Sequence, residues 1–496
     1  MGGLSTGIGG SRPRSPLAPP HFPLTGALWS PARRFKLGSV TAATGGKGSR
    51  RSSFGAELRE VLAERDFRKL FASRLVSQTG DGVFNAGFAA YAFFSAQSFP
   101  NPVAAVDAFA VLYLPYSLIG PFAGVFIDRW SRRQIIVYGA LIRAAMVAVT
   151  GFVVLSGQTG IPLYISALAV LAVNRFFLSA VSAGTPHVVS PDKLVMANAV
   201  VPTLGTILGF VGGVAGLGVH FISGGGLAGS AAVLWFGGAC YLVAGLLGTR
   251  MDRNLLGPLE SEKARAKSTG LAADLGGVVQ GLVAGLRHLN QRRKAAYALG
   301  AVGVHRALYG TLLVEALLLY RNYFYHGGNG NKALGHVTLL VVASAVGFGL
   351  AAVVTPDGVK RVSKDRWITI WLLIGGVVTL AIGPTFNQYA YLLLGFALGL
   401  SAQCVKICVD TTVQQTVDDQ YMGRVFSLYD MLFNAAYVLG PAIAVPFLPV
   451  TGKSLAVVLV VGVLYLAAAA VYPALTRSAD LPAQSPPARP TQAVPR

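Results

Sequence analysis

The sequence predicts an all-α membrane protein of twelve transmembrane helices in two pseudo-repeated six-helix bundles. Three observations lead there. Apolar residues make up 53% of the 496 residues and charged residues 12%, about half the ~25% charged share of a soluble domain. Mean hydropathy is +0.57. From Arg68 onward, apolar segments of about 20 to 28 residues recur, each long enough to cross about 30 Å of hydrocarbon. A long polar connection divides them six and six. Together these exclude a large soluble enzyme, a disordered scaffold and a secreted disulfide module.

The spans read as 68–95, 105–127, 135–156, 161–184, 197–222, 228–249, 295–320, 334–355, 367–386, 388–414, 425–448 and 454–476. Residues 1–67 are rich in Gly, Ser, Pro and Arg with no hydrophobic period, and are expected to be a disordered basic cytoplasmic tail. Its Arg33, Arg34, Lys36, Lys47, Arg50 and Arg51 suit anionic lipid, and it lacks the apolar run of a signal peptide. Residues 68–250 form the first bundle, 251–294 the linker, 295–476 the second bundle and 477–496 a second disordered cytoplasmic tail. In the linker, Leu271, Leu275, Val278, Leu282, Leu286 and Leu289 recur at spacings of three and four. That spacing predicts an amphipathic helix on the cytoplasmic face, either a strap between the halves or a partner-binding element.

The charge balance of 41 Lys+Arg against 20 Asp+Glu gives +21. In a soluble chain that excess would point to nucleic acid, but here the basic residues lie between apolar stretches and no nucleic-acid partner is expected. Arg129, Arg132, Arg133, Lys193, Lys360, Arg361, Lys364, Arg366, Arg424 and the basic residues of the linker fall on one set of connections. The opposite set carries Arg321, Lys332 and Lys453. Both termini are therefore expected in the cytoplasm of a bacterial cell, an orientation that an even number of spans permits. Cys240, Cys404 and Cys408 lie in apolar stretches and read as small packing residues, with no disulfide or zinc spacing.

The strongest local motif connects spans two and three: Gly124-Val-Phe-Ile-Asp128-Arg129-Trp-Ser-Arg132-Arg133. Gly124 is expected to let two helices approach, and Asp128 to face the positive end of a neighbouring helix. Arg129, Arg132 and Arg133 are expected to anchor at headgroups and to pair with acids across a cytoplasmic gate. This stretch resembles the cytoplasmic signature G-x-x-x-D-R-x-G-R-R/K of the major facilitator superfamily, with Ser131 in place of its second Gly. The corresponding second-half segment, Pro356-Asp357-Gly-Val-Lys-Arg361, keeps Asp-x-x-x-Arg. Leu171-Ala-Val-Asn-Arg175 is similar to the family's span-four motif of an apolar helix with one buried Arg, with Leu178 and Ser179 where Gln and Gly often follow. Gly205, Gly209, Gly212, Gly213 and Gly216 in span five, and Gly440-Pro441 in span eleven, are similar to the Gly/Pro-rich fifth helix of the family's antiporters, although span five lacks the Gly-Pro pair. Asp418-Asp419-Gln-Tyr-Met-Gly-Arg424-Val-Phe-Ser resembles the branch of bacterial macrolide and siderophore exporters. The resemblance covers residues 68–476 and implies a transporter that works by alternating access.

Charges inside spans point to function independently, because each costs about 2.5–3.5 kcal/mol at mid-bilayer unless a partner or a wet cavity receives it. Asp81 lies near the middle of span one, and reads either as a proton carrier or as a packing charge paired permanently with an Arg. Arg175, in span four, is expected either to tune that carboxylate, to hold an anionic substrate, or to serve structure. Arg306 in span seven can attract an anionic group, and its neighbour His305 reads as a satisfied structural histidine. Lys406 and Asp410 are one turn apart on span ten and read as an intrahelical pair, while Asp430 and Asn434 share a face of span eleven. Arg143 is expected to snorkel to the interface, and Glu315 to titrate near the external end.

No Walker loop, HExxH, Gly-x-Ser-x-Gly or paired metal-ligand motif occurs, so no ATP hydrolysis, enzyme chemistry, cofactor or metal is expected. The expected function is proton-coupled efflux, as an antiporter, of a small amphipathic molecule such as a drug, siderophore or lipid-like metabolite. Lipid translocation and solute uptake are alternatives of the same class. A non-transporting scaffold or sensor is the alternative from another class.

Overall fold

The computed structural model describes residues 54–94, 101–127, 129–190, 193–257, 270–325 and 330–480. Asp128, most of both tails and the middle of the linker lie outside them. Among the described residues there are helices and no strands. In chain order they are α1 (Phe54–Ala63), α2 (Arg65–Phe94), α3 (Pro102–Leu118), α4 (Ala123–Ile127), α5 (Arg132–Leu155), α6 (Ile161–Gly184), α7 (Leu194–Ile222) and α8 (Gly226–Thr249). They continue with α9 (Leu271–Gln291), α10 (Arg293–Leu318), α11 (Gly330–Arg361), α12 (Lys364–Ile382), α13 (Gln388–Thr416), α14 (Asp419–Ala444) and α15 (Leu455–Asp480).

Eleven helical segments among the described residues are long and apolar enough to cross a membrane. The twelfth span is α2, whose low hydropathy has a specific source. Arg74, Gln78, Asp81 and Asn85 recur at spacings of four, three and four, a single polar stripe along the helix. Gln78, Asp81 and Asn85 line an internal cavity, so water and partners within the protein receive the stripe.

Local signals fix the helix ends. Asn101 Oδ1 accepts from the Ala104 amide at 2.8 Å, with Pro102 as the first helical residue of α3. Ser363 caps α12, and Asn387 accepts from the amides of both Tyr389 and Ala390 at the start of α13. Span two is not one helix: α3 carries Pro115, turns through Gly120–Phe122, and resumes as the five-residue α4.

Two sequence expectations need correction here. Residues 54–63 were expected in the tail, yet they form α1, because Val61 is buried against Phe67 and Leu70, and Glu64 meets Lys193 at 3.0 Å. Pro356–Arg361 was expected as a loop, yet α11 continues through it, with Gly358 lodged beneath the Trp367 ring. The exposed pair Lys360–Asp357, 2.9 Å apart, lies on that last turn.

The two bundles repeat each other's neighbour relations. In the first, α2 packs on α7 and α8, α5 on α6 and α8, and α3 on α6. In the second, α10 packs on α14 and α15, α12 on α13 and α15, and α11 on α13. Shifting each helix by its six-span equivalent carries one set onto the other. The bundles meet where α3 packs on α14 and α10, and where α2 touches α11. The α9 helix lies against α14 and α10 and also reaches α4.

Equivalent helix crossings use the same device. A Cβ on Gly82 of α2 would overlap the Gly209 carbonyl of α7, and one on Gly212 of α7 would overlap the Thr79 carbonyl of α2. In the second bundle, Gly310 of α10 faces the Tyr437 carbonyl and Gly440 of α14 faces the Ala307 carbonyl. Backbones this close gain dispersion that any side chain would abolish. Replacing Gly82 or Gly212 by Val is expected to destabilise the protein by about 1–3 kcal/mol through overpacking. Gly218→Val, where a Cβ meets nothing within 4 Å, is expected to be neutral; thermal unfolding of the three purified variants checks this.

Candidate functional site: charged clusters between the bundles

At the heart of the first bundle, four helices each contribute polar groups to one network. Arg143 of α5 has no exposed surface. Its Nη1 donates to Asp81 Oδ1 at 3.0 Å and to Asn174 Oδ1 at 2.7 Å, and its Nη2 donates to Ser77 Oγ at 2.8 Å. The guanidinium also stacks over Tyr241, 4.2 Å from the ring centroid, and Phe177 at 4.5 Å. Tyr241 Oη of α8 donates to the same Asp81 Oδ1 at 2.8 Å. The other carboxylate oxygen, Oδ2, has no hydrogen-bond partner among the described residues. Asp81 lines a cavity of about 530 Å³ walled by α2, α3, α7, α10, α11 and α14.

This geometry revises two expectations. Arg143 does not snorkel: α5 turns it toward α2 and α6, where a carboxylate, an amide and a hydroxyl await it. Asp81 takes Arg143 as its ion partner, and Arg175 lies elsewhere. Arg175 sits beside Gly120, where span two breaks, and acts electrostatically on Asp430. Sequence reasoning missed Arg143, Ser77 and Tyr241. A usable signal was the placement of polar residues near the middle of four membrane-spanning stretches: Ser77 and Asp81, Arg143, Asn174, and Tyr241.

The second bundle repeats the arrangement with neutral groups. His305 Nε2 lies 3.0 Å from Ser401 Oγ, Ser401 Oγ donates to the Trp371 carbonyl at 2.8 Å, and Tyr465 Oη donates to the His305 carbonyl at 3.3 Å. These come from α10, α13, α12 and α15, the repeat equivalents of α2, α6, α5 and α8. His305 is thus hydrogen-bonded within its bundle.

The remaining charges gather around α10, α13 and α14. Lys406 Nζ lies 2.6 Å from Asp410 Oδ2, one turn along α13. Asp430, on α14, lies within electrostatic range of Arg175, Lys406 and Asp410, and Asn434 Nδ2 donates to its backbone carbonyl at 2.8 Å. The Arg306 guanidinium is stacked on Tyr437 and Phe433, 3.7 and 4.2 Å from their centroids. It lines a second cavity of about 280 Å³ with Tyr113, Tyr309 and Ser344. Glu315, nearer the other end of α10, is fully buried.

The motif between spans two and three divides its labour differently from the expectation. Gly124 faces open space, with nothing within 4 Å of a Cβ there, because Ala123 and Ile127 are the residues by which α4 packs. Arg132 is buried and donates to the carbonyls of Ala183 and Leu256, both at 3.4 Å. Arg133 donates to the carbonyls of Thr249 at 2.9 Å and Met251 at 3.2 Å. These arginines thus satisfy the carbonyls of Ala183 and Thr249 at the ends of α6 and α8, where helix dipoles favour positive charge, and those of Met251 and Leu256 in the segment that follows α8. Arg129 does leave its own bundle, meeting Asp274 Oδ2 of α9 at 2.6 Å. Asp128 lies outside the described residues.

Two six-helix bundles of matching topology, with ionisable groups buried around cavities between them, define a multi-pass membrane transporter. The family model of the Major Facilitator Superfamily matches residues 70–441, and the chain belongs to that family. It is 33% identical over 415 residues to a protein named as an uncharacterized MFS-type transporter in Mycobacterium tuberculosis, covering 84% of this chain and 92% of that one. To the similarly named YkuC of Bacillus subtilis it is 24% identical over 387 residues, 77% of this chain and 85% of the other. Among solved structures, a peptide transporter POT in complex with sulfate shares the fold with a TM-score of 0.61 at 12% identity, over 85% of this chain and 98% of that one. The nucleoside transporter NupG gives 0.54 at 14% identity, over 83% of this chain and 97% of that one.

Removing one partner of the buried pair leaves an uncompensated charge, so Arg143→Met is expected to cost about 3–5 kcal/mol. Asp81→Leu in the same chain is expected to recover part of that loss. A double-mutant cycle by thermal unfolding in detergent measures the coupling.

Proposed function

We propose that the protein is a proton-coupled secondary transporter that exports a small amphipathic molecule across a bacterial cell membrane, with both termini cytoplasmic. The observation that carries this reading is the unpartnered Oδ2 of Asp81 beside the larger cavity. A proton arriving from cavity water can settle on that oxygen without displacing the donors held by Oδ1. Once Asp81 is neutral, Arg143 keeps the Asn174 and Ser77 oxygens and two aromatic faces. The cation therefore stays solvated by the protein while the carboxylate loads and unloads. A scaffold has no use for such an arrangement, since each buried charge only adds cost.

Alternating access then corresponds to rocking of the two bundles about the cavities. Arg129 with Asp274 serves as a cytoplasmic latch. Both side chains are about one-quarter exposed, and a pair of that kind contributes about 0–1 kcal/mol. Such a bond holds one arrangement without trapping it. Lys406, Asp410 and Asp430, with Arg175, would tune the potential on the cytoplasmic side of the cavity.

Two outcomes follow. Export is first located by accumulation of labelled compounds in cells with and without the gene, at two external pH values. In proteoliposomes with an imposed pH gradient, Asp81→Asn is expected to abolish gradient-driven transport while the protein still folds, with a smaller loss of stability than Arg143→Met because the Asn oxygen can still accept from Arg143; wild-type rates in that variant would refute the role. Arg129→Asp and Asp274→Arg are each expected to change transport by up to about fivefold, the equivalent of ~1 kcal/mol. The charge-swapped double variant is expected to return toward the wild-type rate in the same assay.

A further inference from the structure

The cations around the cavities differ in how they are balanced. Arg143 has Asp81 at 3.0 Å and Lys406 has Asp410 at 2.6 Å. Arg306 has no carboxylate within ion-pair distance among the described residues, and its Nε is buried with no hydrogen-bond partner. Its guanidinium carbon lies over two rings, 3.7 Å from the Tyr437 centroid and 4.2 Å from that of Phe433. Stacking leaves the edge of a guanidinium, where its N–H donors lie, as the part available to a ligand. The wider cluster points the same way: Arg175, Arg306 and Lys406 stand against Asp410 and Asp430, three positive groups to two negative.

The space next to Arg306 has a definite chemistry. Its chamber adjoins the larger one, with Tyr113, Phe210, Leu313 and Val341 lining both. Beyond these residues the larger chamber is walled by Val214 and Leu217 of α7 and by Leu334, Val337 and Val342 of α11. The repeat-equivalent seam between α3 and α14 is filled instead. There Tyr437 lies 4.6 Å from Tyr113 and 5.5 Å from Phe109, and Ser117 Oγ donates to the Met431 carbonyl at 3.0 Å. At the α7–α11 seam a bridge is made by His220 Nε2 and Asn331 Oδ1 at 3.4 Å, near the far end.

We infer that the cargo is an organic anion with an apolar body, its charged group bound edge-on by Arg306 and its body lying between α7 and α11. The biological sense of this inference rests on the transporter reading, but its test reads binding alone, so either can fail without the other. Two probes of one body and opposite charge, 1-naphthylacetate and 1-naphthylmethylammonium, are titrated onto the full-length protein in nanodiscs by scintillation proximity. The wild type is expected to bind the anion at least about tenfold more tightly, the scale of one charge-assisted contact. Arg306→Gln is expected to erase that preference and Arg306→Lys to keep part of it. Val341→Trp, which fills the shared space, is expected to weaken both probes alike, and supplies an arm that does not depend on Arg306→Gln folding. Tighter binding of the cation, equal binding of the two, binding of neither, or an unchanged anion affinity in a folded Arg306→Gln variant would each overturn the inference.

Discussion

The structure depends on one constraint: a guanidinium taken out of water with its carboxylate must find its partners inside the protein. Desolvating such ions costs several kcal/mol each, and mutual attraction recovers it only with well-placed additional hydrogen bonds. Arg143 meets that condition through Asp81, Asn174 and Ser77 together with two aromatic faces. The partners come from α2, α6 and α8 around α5, so the network sets the rotation of four helices at once. Lipid offers no hydrophobic drive between helices. A buried polar knot supplies register where apolar packing alone is permissive.

Comparison of the two bundles shows what duplication retains and what it releases. Neighbour relations, glycine crossings and the position of a central tyrosine recur, Tyr241 in one and Tyr465 in the other. The charge does not recur. Where the first bundle joins Asp81 to Arg143, the second joins His305 to Ser401 and the Trp371 carbonyl. The second bundle instead turns Arg306, one residue along, toward the cavity. In the function proposed above, proton handling and charge recognition would fall to different halves of a similar frame.

Much of this was legible in the sequence, and the limits have a physical cause. Span number and the six-and-six division follow from hydrophobic length, which is a one-dimensional property. The depth of Asp81 and Arg306 was equally readable, as was the intrahelical spacing of Lys406 and Asp410. Rotation about a helix axis was not, because it depends on which neighbours surround the helix. Arg143 reads as a snorkelling residue by its position along α5, yet it faces the interior. Gly124 reads as a contact residue by its motif, yet nothing lies within 4 Å of where its Cβ would stand. Arg132 and Arg133 read as cleft charges, yet the nearest unsatisfied groups were carbonyls at the ends of α6 and α8.

The reciprocal glycines of α2 and α7 have a mechanical consequence. With Gly82 and Gly212 seated against the opposing backbones, neither helix can slide or roll without colliding with main chain, which does not yield as a side chain does. The polar stripe of α2 and the apolar wall of α7 are therefore welded into one moving part. Whatever displaces the wall carries the carboxylate with it, and the coupling of the two is a matter of rigid geometry before it is one of charge.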